Sequence, residues 1–339
     1  MPPFRRLTRS FVASLLLASS IAYAATPDEA FQAARKAYKD GDVATLEANL
    51  PLLSEHELLP YVEYWRLSMD IEQAWPNQIQ AFLSEVDGML VAERMRAKWL
   101  RELARREQWS DFLTMSRELS TWDTELTCYS LQARIALGEN GALTEARDLW
   151  FTGRPQPESC LPLFESLFEQ NVPGTDDVWA RFRLALNRGN RSVAKAILKY
   201  VPAAERPSSG DINSAARRPQ TYLKQLSTPL QNRGQTELAL YALYKTARSW
   251  PHVAARELAE IEDQLPEEDR SYAVGQVAMA AAWKHHPDAH AWFKKVDPRD
   301  LNDRQLEWRA RAALRSGDWS DIVGCVEAMS PQKRTTSRW

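Results

Sequence analysis

Glycine is scarce in this sequence, with 12 among 339 residues, whereas average usage is about 7%. Runs of β-branched residues are few, and no stretch alternates apolar and polar residues for long enough to build a sheet. Alanine, leucine, arginine and glutamate dominate instead, and most of these are strong helix formers. The composition therefore excludes a β-rich fold and predicts an all-α protein.

A large net charge of either sign is also missing. The formal charge is −2, and it becomes −5 without the first 24 residues, which carry three arginines and no acid. A mildly acidic chain with mixed charges lacks the basic surface that nucleic-acid binding requires. Hydrophobic residues make up 44% of the chain, which is enough for a large core. We therefore expect a folded protein that does not bind nucleic acid.

Long apolar runs are absent except near the beginning of the sequence. Arg5, Arg6 and Arg9 precede the apolar run FVASLLLASSIA, and Ala22-Tyr23-Ala24 follows as a small-residue cleavage site. This order is typical of a secretory signal peptide, and the run is too short to span a bilayer. We therefore predict a signal peptide over residues 1–24, cleaved after Ala24, an exported mature chain over residues 25–339, and no membrane span.

Cysteine is limited to three residues. Cys128 and Cys160 are separated by 31 intervening residues, and Cys325 lies far from both. Because export places the chain in an oxidising compartment, a Cys128–Cys160 disulfide is favoured over three buried thiols. Closing that loop would stabilise the fold by about 3–4 kcal/mol in the chain-entropy model. Cys325 is interpreted as a small buried hydrophobic residue.

Amphipathic helices joined by short turns explain most of the chain. In the segment 91–107, apolar residues recur at three- and four-residue spacing, which predicts one buried stripe made of Ala92, Met95, Trp99, Leu100, Leu103 and Ala104. Turns with glycine recur at irregular intervals, at Gly41, Gly189, Gly234 and Gly317, with a looser one around Gly138 and Gly141. Tightly joined helices pack as antiparallel hairpins, and hairpins with one apolar stripe must stack. We expect an irregular α-solenoid of helical hairpins.

Two similar phrases, RREQWSDFL at 105–113 and RSGDWSDIV at 315–323, are interpreted as helix–turn–helix joints. In the second, Gly317 is expected to end one helix in the left-handed conformation, and Asp318 to cap the next. The first phrase has no glycine, so we expect Glu107 or Gln108 to make that turn, either at some strain or in another geometry.

The helices of the second joint give two further predictions. Asn302 and Gln305 are expected to form a capping box at the start of the helix that Gly317 ends. Trp319, which follows the capping aspartate, is expected to pack inside the hairpin.

Residues with catalytic or metal-binding chemistry are few. Three of the five histidines lie in HHPDAH, where His286, His290 and Asp288 suggest a metal site. Pro287 interrupts the helix that would place both rings on one face, so we interpret the segment as a solvated turn. No nucleophile-elbow, phosphate-loop or zinc-protease motif occurs in the sequence. We assign no catalytic residue, no cofactor and no metal ligand.

Several phrases resemble the N-terminal part of soluble lytic murein transglycosylases. The order and approximate spacing agree from Leu58 onward, and LWFTGRPQPESC is the most specific of the shared segments. The phrases are LLPYVEYWRL (58–67), KWLRELARREQW (98–109), ARDLWFTGRPQPESCLPLF (146–164), WARFRLALNRGN (179–190) and EWRARAALRSGDW (307–319).

This resemblance implies a fold and an activity. Such proteins have a right-handed superhelix of α-helices that forms part of a ring, and a lysozyme-like catalytic domain. They cleave the β-1,4 bond between N-acetylmuramic acid and N-acetylglucosamine in the periplasm and leave a 1,6-anhydromuramoyl end. Their cysteines equivalent to Cys128 and Cys160 are expected to pair. The implied partners are peptidoglycan glycan strands, held by the full-length ring, and cell-wall synthesis proteins.

The family's catalytic motif is not matched. Its catalytic glutamate stands in an E-S pair followed downstream by G-A-x-G-L-M-Q, whereas neither Glu158-Ser159 nor Glu165-Ser166 is followed by such a sequence. We therefore expect residues 25–339 to form a superhelical U-type domain, incomplete at its C-terminus. The catalytic domain is expected beyond Trp339, and the chain is expected to be inactive alone. The alternative function is a stand-alone periplasmic helical-repeat module that binds a protein partner.

Overall fold

The computed structural model describes residues 25–139, 141–170 and 173–336, so the predicted signal peptide lies outside the described residues. Within these ranges every regular element is helical and there is no strand, which confirms the all-α prediction. No helix in the described part of the chain is both long and apolar enough to cross a membrane. The chain forms two compact units, with the boundary between Trp122 and Asp123.

The described part of the first unit contains six α-helices. They are α1 (Pro27–Asp40), α2 (Val43–Asn49), α3 (Leu59–Met69), α4 (Pro76–Glu85), α5 (Leu90–Arg105) and α6 (Trp109–Ser116). The stripe predicted on α5 is confirmed, because all six of its apolar side chains are buried. Thr26 and Glu29 form a capping box at the start of α1, and Gly41 ends that helix with a φ of 76°. Local sequence signals therefore determine where the first hairpin begins and turns.

The described part of the second unit contains fourteen further α-helices. They are α7 (Thr124–Ala136), α8 (Ala142–Trp150), α9 (Leu161–Glu169), α10 (Thr175–Asn187), α11 (Arg191–Ile197), α12 (Ser209–Arg217), α13 (Pro219–Lys224), α14 (Arg233–Ser249), α15 (Pro251–Ala259), α16 (Glu267–Trp283), α17 (Ala289–Phe293), α18 (Asp303–Ser316), α19 (Trp319–Ala328) and α20 (Pro331–Arg334). Their apolar faces form one continuous core, in which Trp150, Trp179 and Phe182 are at most 1% exposed.

A disulfide joins Cys128 on α7 to Cys160, which immediately precedes α9, with the two Cα atoms 5.1 Å apart. Both side chains are fully buried in the core of the second unit. Cys325 is free and buried, and burial raises the pKa of its thiol to about 11. The reduced cysteine is therefore protonated at neutral pH and behaves as the small apolar residue that the sequence suggests.

The two similar phrases both form helix–turn–helix joints. Gly317 has a φ of 72°, and the Asp318 carboxylate accepts a hydrogen bond from the amide of Asp321 at 3.1 Å, as expected for a C-cap followed by an N-cap. The predicted turn residue in the first phrase is confirmed at Glu107, whose φ is 55°. The same left-handed turn is thus made once by glycine and once by a residue with a side chain.

One prediction about these joints is confirmed and one is wrong. Asn302 and Gln305 form the expected capping box, with the Gln305 amide 3.0 Å from Asn302 Oδ1 and the Asn302 amide 3.1 Å from Gln305 Oε1. Trp319, expected to pack inside the hairpin, is 68% exposed. As the first residue of α19 its side chain lies on the outer face, and the joint is held by polar contacts instead.

Candidate functional site

The histidines of HHPDAH contact different neighbours and do not converge. His290 Nε2 lies 3.0 Å from an Asp321 carboxylate oxygen, whereas the His286 ring stacks on Trp292 with ring centroids 5.0 Å apart. Asp288 is 3.9 Å from His286 Nδ1. Among the residues that the structure describes, no group of three histidine, cysteine or acidic side chains is arranged to hold a metal ion.

Asp321, the aspartate of the second repeated phrase, belongs to a polar joint between three helices. Arg309, which is 4% exposed, donates to its carboxylate from Nη2 at 2.6 Å and from Nε at 3.0 Å. Arg309 Nη1 also donates to the carbonyl oxygens of Phe293 and Val296, at 3.0 and 2.6 Å. Burial would raise the pKa of Asp321, but the hydrogen bonds from Arg309 and His290 hold it below its usual value.

Gly153, in the segment LWFTGRPQPESC, allows its loop to pack closely against the backbone of α10. A Cβ atom at this position would lie 2.5 Å from the carbonyl oxygen of Leu184 on α10, so only glycine fits there. The Gly153 carbonyl accepts a hydrogen bond from the side-chain amide of Asn190. The glutamates of the two Glu-Ser pairs, Glu158 and Glu165, are both exposed. The phrase thus holds a loop against α10.

A cleft of about 560 Å³ opens on the second unit, within the range typical of small-molecule sites. Side chains from α10, α14, α16 and the start of α18 line it. They are Asn187, Tyr244, Arg248, Gln276, Met279, Ala280, Trp283, Lys284, Asn302 and Arg304. The lining therefore combines three cations, two aromatic rings and three amides, and it includes no carboxylate.

The cations of this cleft have no acidic partners. Arg248, Lys284 and Arg304 are exposed, and within the described ranges none of them takes part in an ion pair. Arg304 instead lies over the Trp283 ring, 5.5 Å from its centroid, and Arg248 lies 6.0 Å from the ring of Tyr244. Unpaired cations in a concave surface attract anions, and the attraction weakens with salt.

Trp283 presents an exposed aromatic surface at the edge of the cleft. It is 57% exposed, and it stacks on the half-buried Trp308 with ring centroids 5.1 Å apart and planes inclined by 28°. Arg311, which is paired with Glu307, lies 5.0 Å from the Trp308 ring centroid. The contact from Trp308 restricts the motion of Trp283 while leaving much of its surface available for stacking.

Buried charges hold together three of the helices that line the cleft. Glu237 on α14 and Asp269 on α16 are 1% and 2% exposed, and both accept hydrogen bonds from Arg183 on α10 at 2.7 Å. Arg233 donates to the same two carboxylates. Burial alone would lower the pKa of Arg183, but these hydrogen bonds raise it above its ordinary value.

Asn187 connects that buried network to the cleft surface. Its side-chain amide nitrogen donates to the hydroxyl of Tyr272 at 2.7 Å, and Arg183 lies over the Tyr272 ring, 4.5 Å from its centroid. Burial raises the pKa of Tyr272, so the hydroxyl keeps its proton. The position of the cleft wall is therefore fixed by hydrogen bonds within the unit.

The first unit has a cavity of about 770 Å³ with the opposite charge character. Asp87, Glu93 and Glu118 line it together with Arg96, and Arg96 pairs with Asp87 at 3.4 Å and with Glu118 at 3.3 Å. Glu93 accepts a hydrogen bond from the Ser120 amide at 2.7 Å. Because its cation is already paired with carboxylates, this cavity is not a candidate for an anionic ligand.

The cleft was not predicted from the sequence. Trp283 ends α16, Arg248 lies near the end of α14 and Arg304 lies in the first turn of α18, so their proximity depends on the packing of three hairpins. Each of these residues, considered alone, is typical of a helix surface, so no local signal in the sequence marks the cleft.

The fold and the cleft together define an all-α array of helical hairpins that presents a basic, aromatic surface. No family model matches the sequence. Over 315 residues the chain is 28% identical to a soluble lytic murein transglycosylase of Escherichia coli strain K12. The matched region covers 91% of this chain and 46% of that relative. The protein of the same description from Salmonella typhimurium is 26% identical over 293 residues, 85% of the chain and 43% of the relative.

A solved structure has the same fold. It is the lytic transglycosylase Slt of Pseudomonas aeruginosa in an inactive mutant form, which superposes with a TM-score of 0.67 at 24% sequence identity. The match covers 91% of this chain and 51% of the Slt chain. The resemblance to soluble lytic murein transglycosylases seen in the sequence is thus confirmed. The chain spans about half the length of the curated relatives it matches.

Proposed function

We propose that this chain is an exported helical scaffold that binds peptidoglycan, corresponding to the N-terminal superhelical part of a lytic murein transglycosylase. The match to relatives over 91% of the chain at 28% identity carries this proposal. The domain assignment of residues 25–339 as a superhelical U-type domain is part of it. Its role is to hold a glycan strand while the bond is cut elsewhere in such a protein.

The cutting step is assigned to the part of the relatives that this chain does not match. That step breaks the bond between N-acetylmuramic acid and N-acetylglucosamine and leaves a 1,6-anhydromuramoyl end. In the sequence neither Glu-Ser pair is followed by G-L-M-Q. The exposure of Glu158 and Glu165 supports this assignment, because neither side chain lies in a buried pocket.

Export to the periplasm is supported by the order of residues at positions 1–24 and by the Cys128–Cys160 disulfide. Expression of the full sequence in a bacterial host and mass measurement of the periplasmic protein test both features. We expect the mass of a chain that begins at Ala25. This mass should be lower by two hydrogens than that of the same chain with all cysteines reduced. A protein that keeps residues 1–24 contradicts the export assignment.

Co-sedimentation with purified sacculi tests the main proposal. The exported chain is expected to pellet with sacculi and to release no 1,6-anhydromuropeptides, as measured by chromatography and mass spectrometry of the supernatant. Release of such products by this chain alone contradicts the scaffold role. Failure to pellet, together with recovery of one stoichiometric protein partner, supports the alternative of a stand-alone interaction module.

A further inference from the structure

We propose that the cleft between α10, α14, α16 and α18 binds the carboxylate-bearing muramoyl-peptide unit of a glycan strand. A sugar face would stack on Trp283, and the carboxylates of the lactyl group and stem peptide would pair with Arg248, Lys284 and Arg304. This inference rests on the proposed function and names the surface and ligand class that serve it.

Charge is the first reason for choosing this class of ligand. The cleft has three cations without carboxylate partners and no acid in its lining, so it is built for a ligand with negative charge. A neutral oligosaccharide would use the ring of Trp283 but would leave the cations without partners. Arginine recognises a carboxylate through two parallel hydrogen bonds, which favours ligands with exposed carboxylates.

The polar and aromatic groups give the second reason. Asn302 and Gln276 line the same cleft, and amide side chains both donate to and accept from sugar hydroxyl and acetamido groups. Trp283 adds an exposed flat surface of the kind that stacks against a pyranose ring, and Trp308 stacks on the same indole and restricts its motion. An acidic peptide alone would use the cations but would leave this combination of amides and indole without a sugar to contact.

Rigidity is the third reason. The helices that carry the lining residues are tied together by the Arg183, Glu237 and Asp269 network, and α18 begins at a complete capping box. The cleft is therefore formed before the ligand arrives, and little side-chain or loop ordering is needed on binding.

The test compares a charged and a neutral probe on the full exported chain. The charged probe is the disaccharide N-acetylglucosaminyl-N-acetylmuramic acid with its tetrapeptide, and the neutral probe is a chitin tetrasaccharide. Titration calorimetry is expected to show binding of the charged probe that weakens as salt is added, and binding of the neutral probe at least about tenfold weaker. Equal affinity for both probes overturns the role of the cations.

Single substitutions locate the site. Trp283→Ala and Arg304→Ala are each expected to weaken binding of the charged probe by about tenfold. The matched controls are Trp75→Ala, an exposed tryptophan on the first unit, and Arg299→Ala, an exposed arginine paired with Asp297. Both controls should bind as the unchanged chain does. Because Trp283 and Arg304 are exposed, their variants are expected to melt at the same temperature as the unchanged chain.

The outcomes separate this inference from the proposed function. If the unchanged chain pellets with sacculi and the Trp283→Ala, Arg304→Ala double variant pellets equally well, the cleft assignment is wrong and the scaffold role stands. If the unchanged chain does not bind sacculi at all, the proposed function fails first. If an acidic peptide without sugar binds the cleft as tightly as the muropeptide does, the ligand class is wrong and a protein partner replaces the glycan.

Discussion

Arg183 and Glu237 form a bidentate ion pair, with Nε 2.9 Å from Oε2 and Nη2 2.7 Å from Oε1, between residues 54 positions apart in the sequence. The pair joins α10 to α14 in the interior of the second unit. Because Asp269 and Arg233 complete the network, two buried negative charges are compensated by two positive ones. The network therefore carries no net charge. Removing one member would leave an uncompensated buried charge and destabilise the fold.

Glu237→Gln is expected to lower the free energy of unfolding by about 3 kcal/mol, because it leaves two arginines sharing one carboxylate in a buried site. Urea unfolding followed by circular dichroism measures the loss. Glu260→Gln is the matched control, since Glu260 is exposed and should be within about 0.5 kcal/mol of the unchanged chain. Equal stability of the two variants would show that the network contributes no specific stabilisation.

Two glycines in the second unit should respond to alanine in opposite directions. Gly153→Ala places a Cβ atom against the backbone of Leu184 and is expected to destabilise by about 1–3 kcal/mol. Gly324→Ala lies within α19 with nothing within 4 Å of the added atom, so it is expected to stabilise by about 0.5–1 kcal/mol. Thermal unfolding of the two variants side by side checks both signs. A neutral Gly153→Ala would mean that the loop can move away from α10.

Glu107→Gly is expected to stabilise the first unit by about 0.5–1 kcal/mol, because glycine adopts a positive φ without a steric cost. Glu107 has a φ of 55° and is exposed, so no other contact is lost. Glu107→Ala is the control, since it keeps the Cβ atom and should give no gain. Denaturant unfolding compares the two variants, and a larger gain from alanine than from glycine would contradict the strain interpretation.

Asp321→Asn should change stability in a pH-dependent way. The folded-state pKa of Asp321 is lowered below its usual value of about 4, so its contribution is complete above that pH and is lost as the pH falls through the folded-state pKa. We expect a loss of about 2 kcal/mol at pH 7 and a smaller loss at pH 3.

Urea unfolding of the unchanged chain and of Asp321→Asn at the two pH values measures that difference. The groups that face Asp321 are Arg309, His290 and Asp318, and Lys294 pairs with Asp318 at 3.1 Å. Asp148→Asn, at an exposed position, is the control and should show no pH-dependent difference. A loss from Asp321→Asn that is the same at both pH values would exclude an ionic role for this carboxylate.

The features that could be predicted from the sequence are those determined by neighbours along the chain. Asn302, Gln305 and Gly317 lie within one helix and its caps, so the rules of helix ends apply directly. The comparison of the two phrases narrowed the first turn to Glu107 or Gln108, and the structure places the positive φ at Glu107. The buried stripe of α5 follows from helical periodicity alone.

Features that depend on packing between hairpins were not predictable from the sequence. Glu237 lies in TELAL, where nothing indicates burial or a partner on α10. Arg248, Trp283 and Arg304 are typical surface residues when each is considered alone, and only the packing of α14, α16 and α18 brings them to one cleft. Trp319 was misplaced because helical periodicity does not fix the direction of the first residue after a cap.

The stacked pair of Trp283 and Trp308 has an optical consequence. Two indole rings with centroids 5.1 Å apart couple electronically, and such coupling splits their absorption into bands of opposite circular dichroism. The remaining tryptophans contribute a background signal. Subtracting the spectrum of the Trp283→Phe variant from that of the unchanged chain would isolate the signal of the stacked pair. A sugar that binds against Trp283 would alter the split band, so circular dichroism would detect ligand binding in the cleft without an added dye.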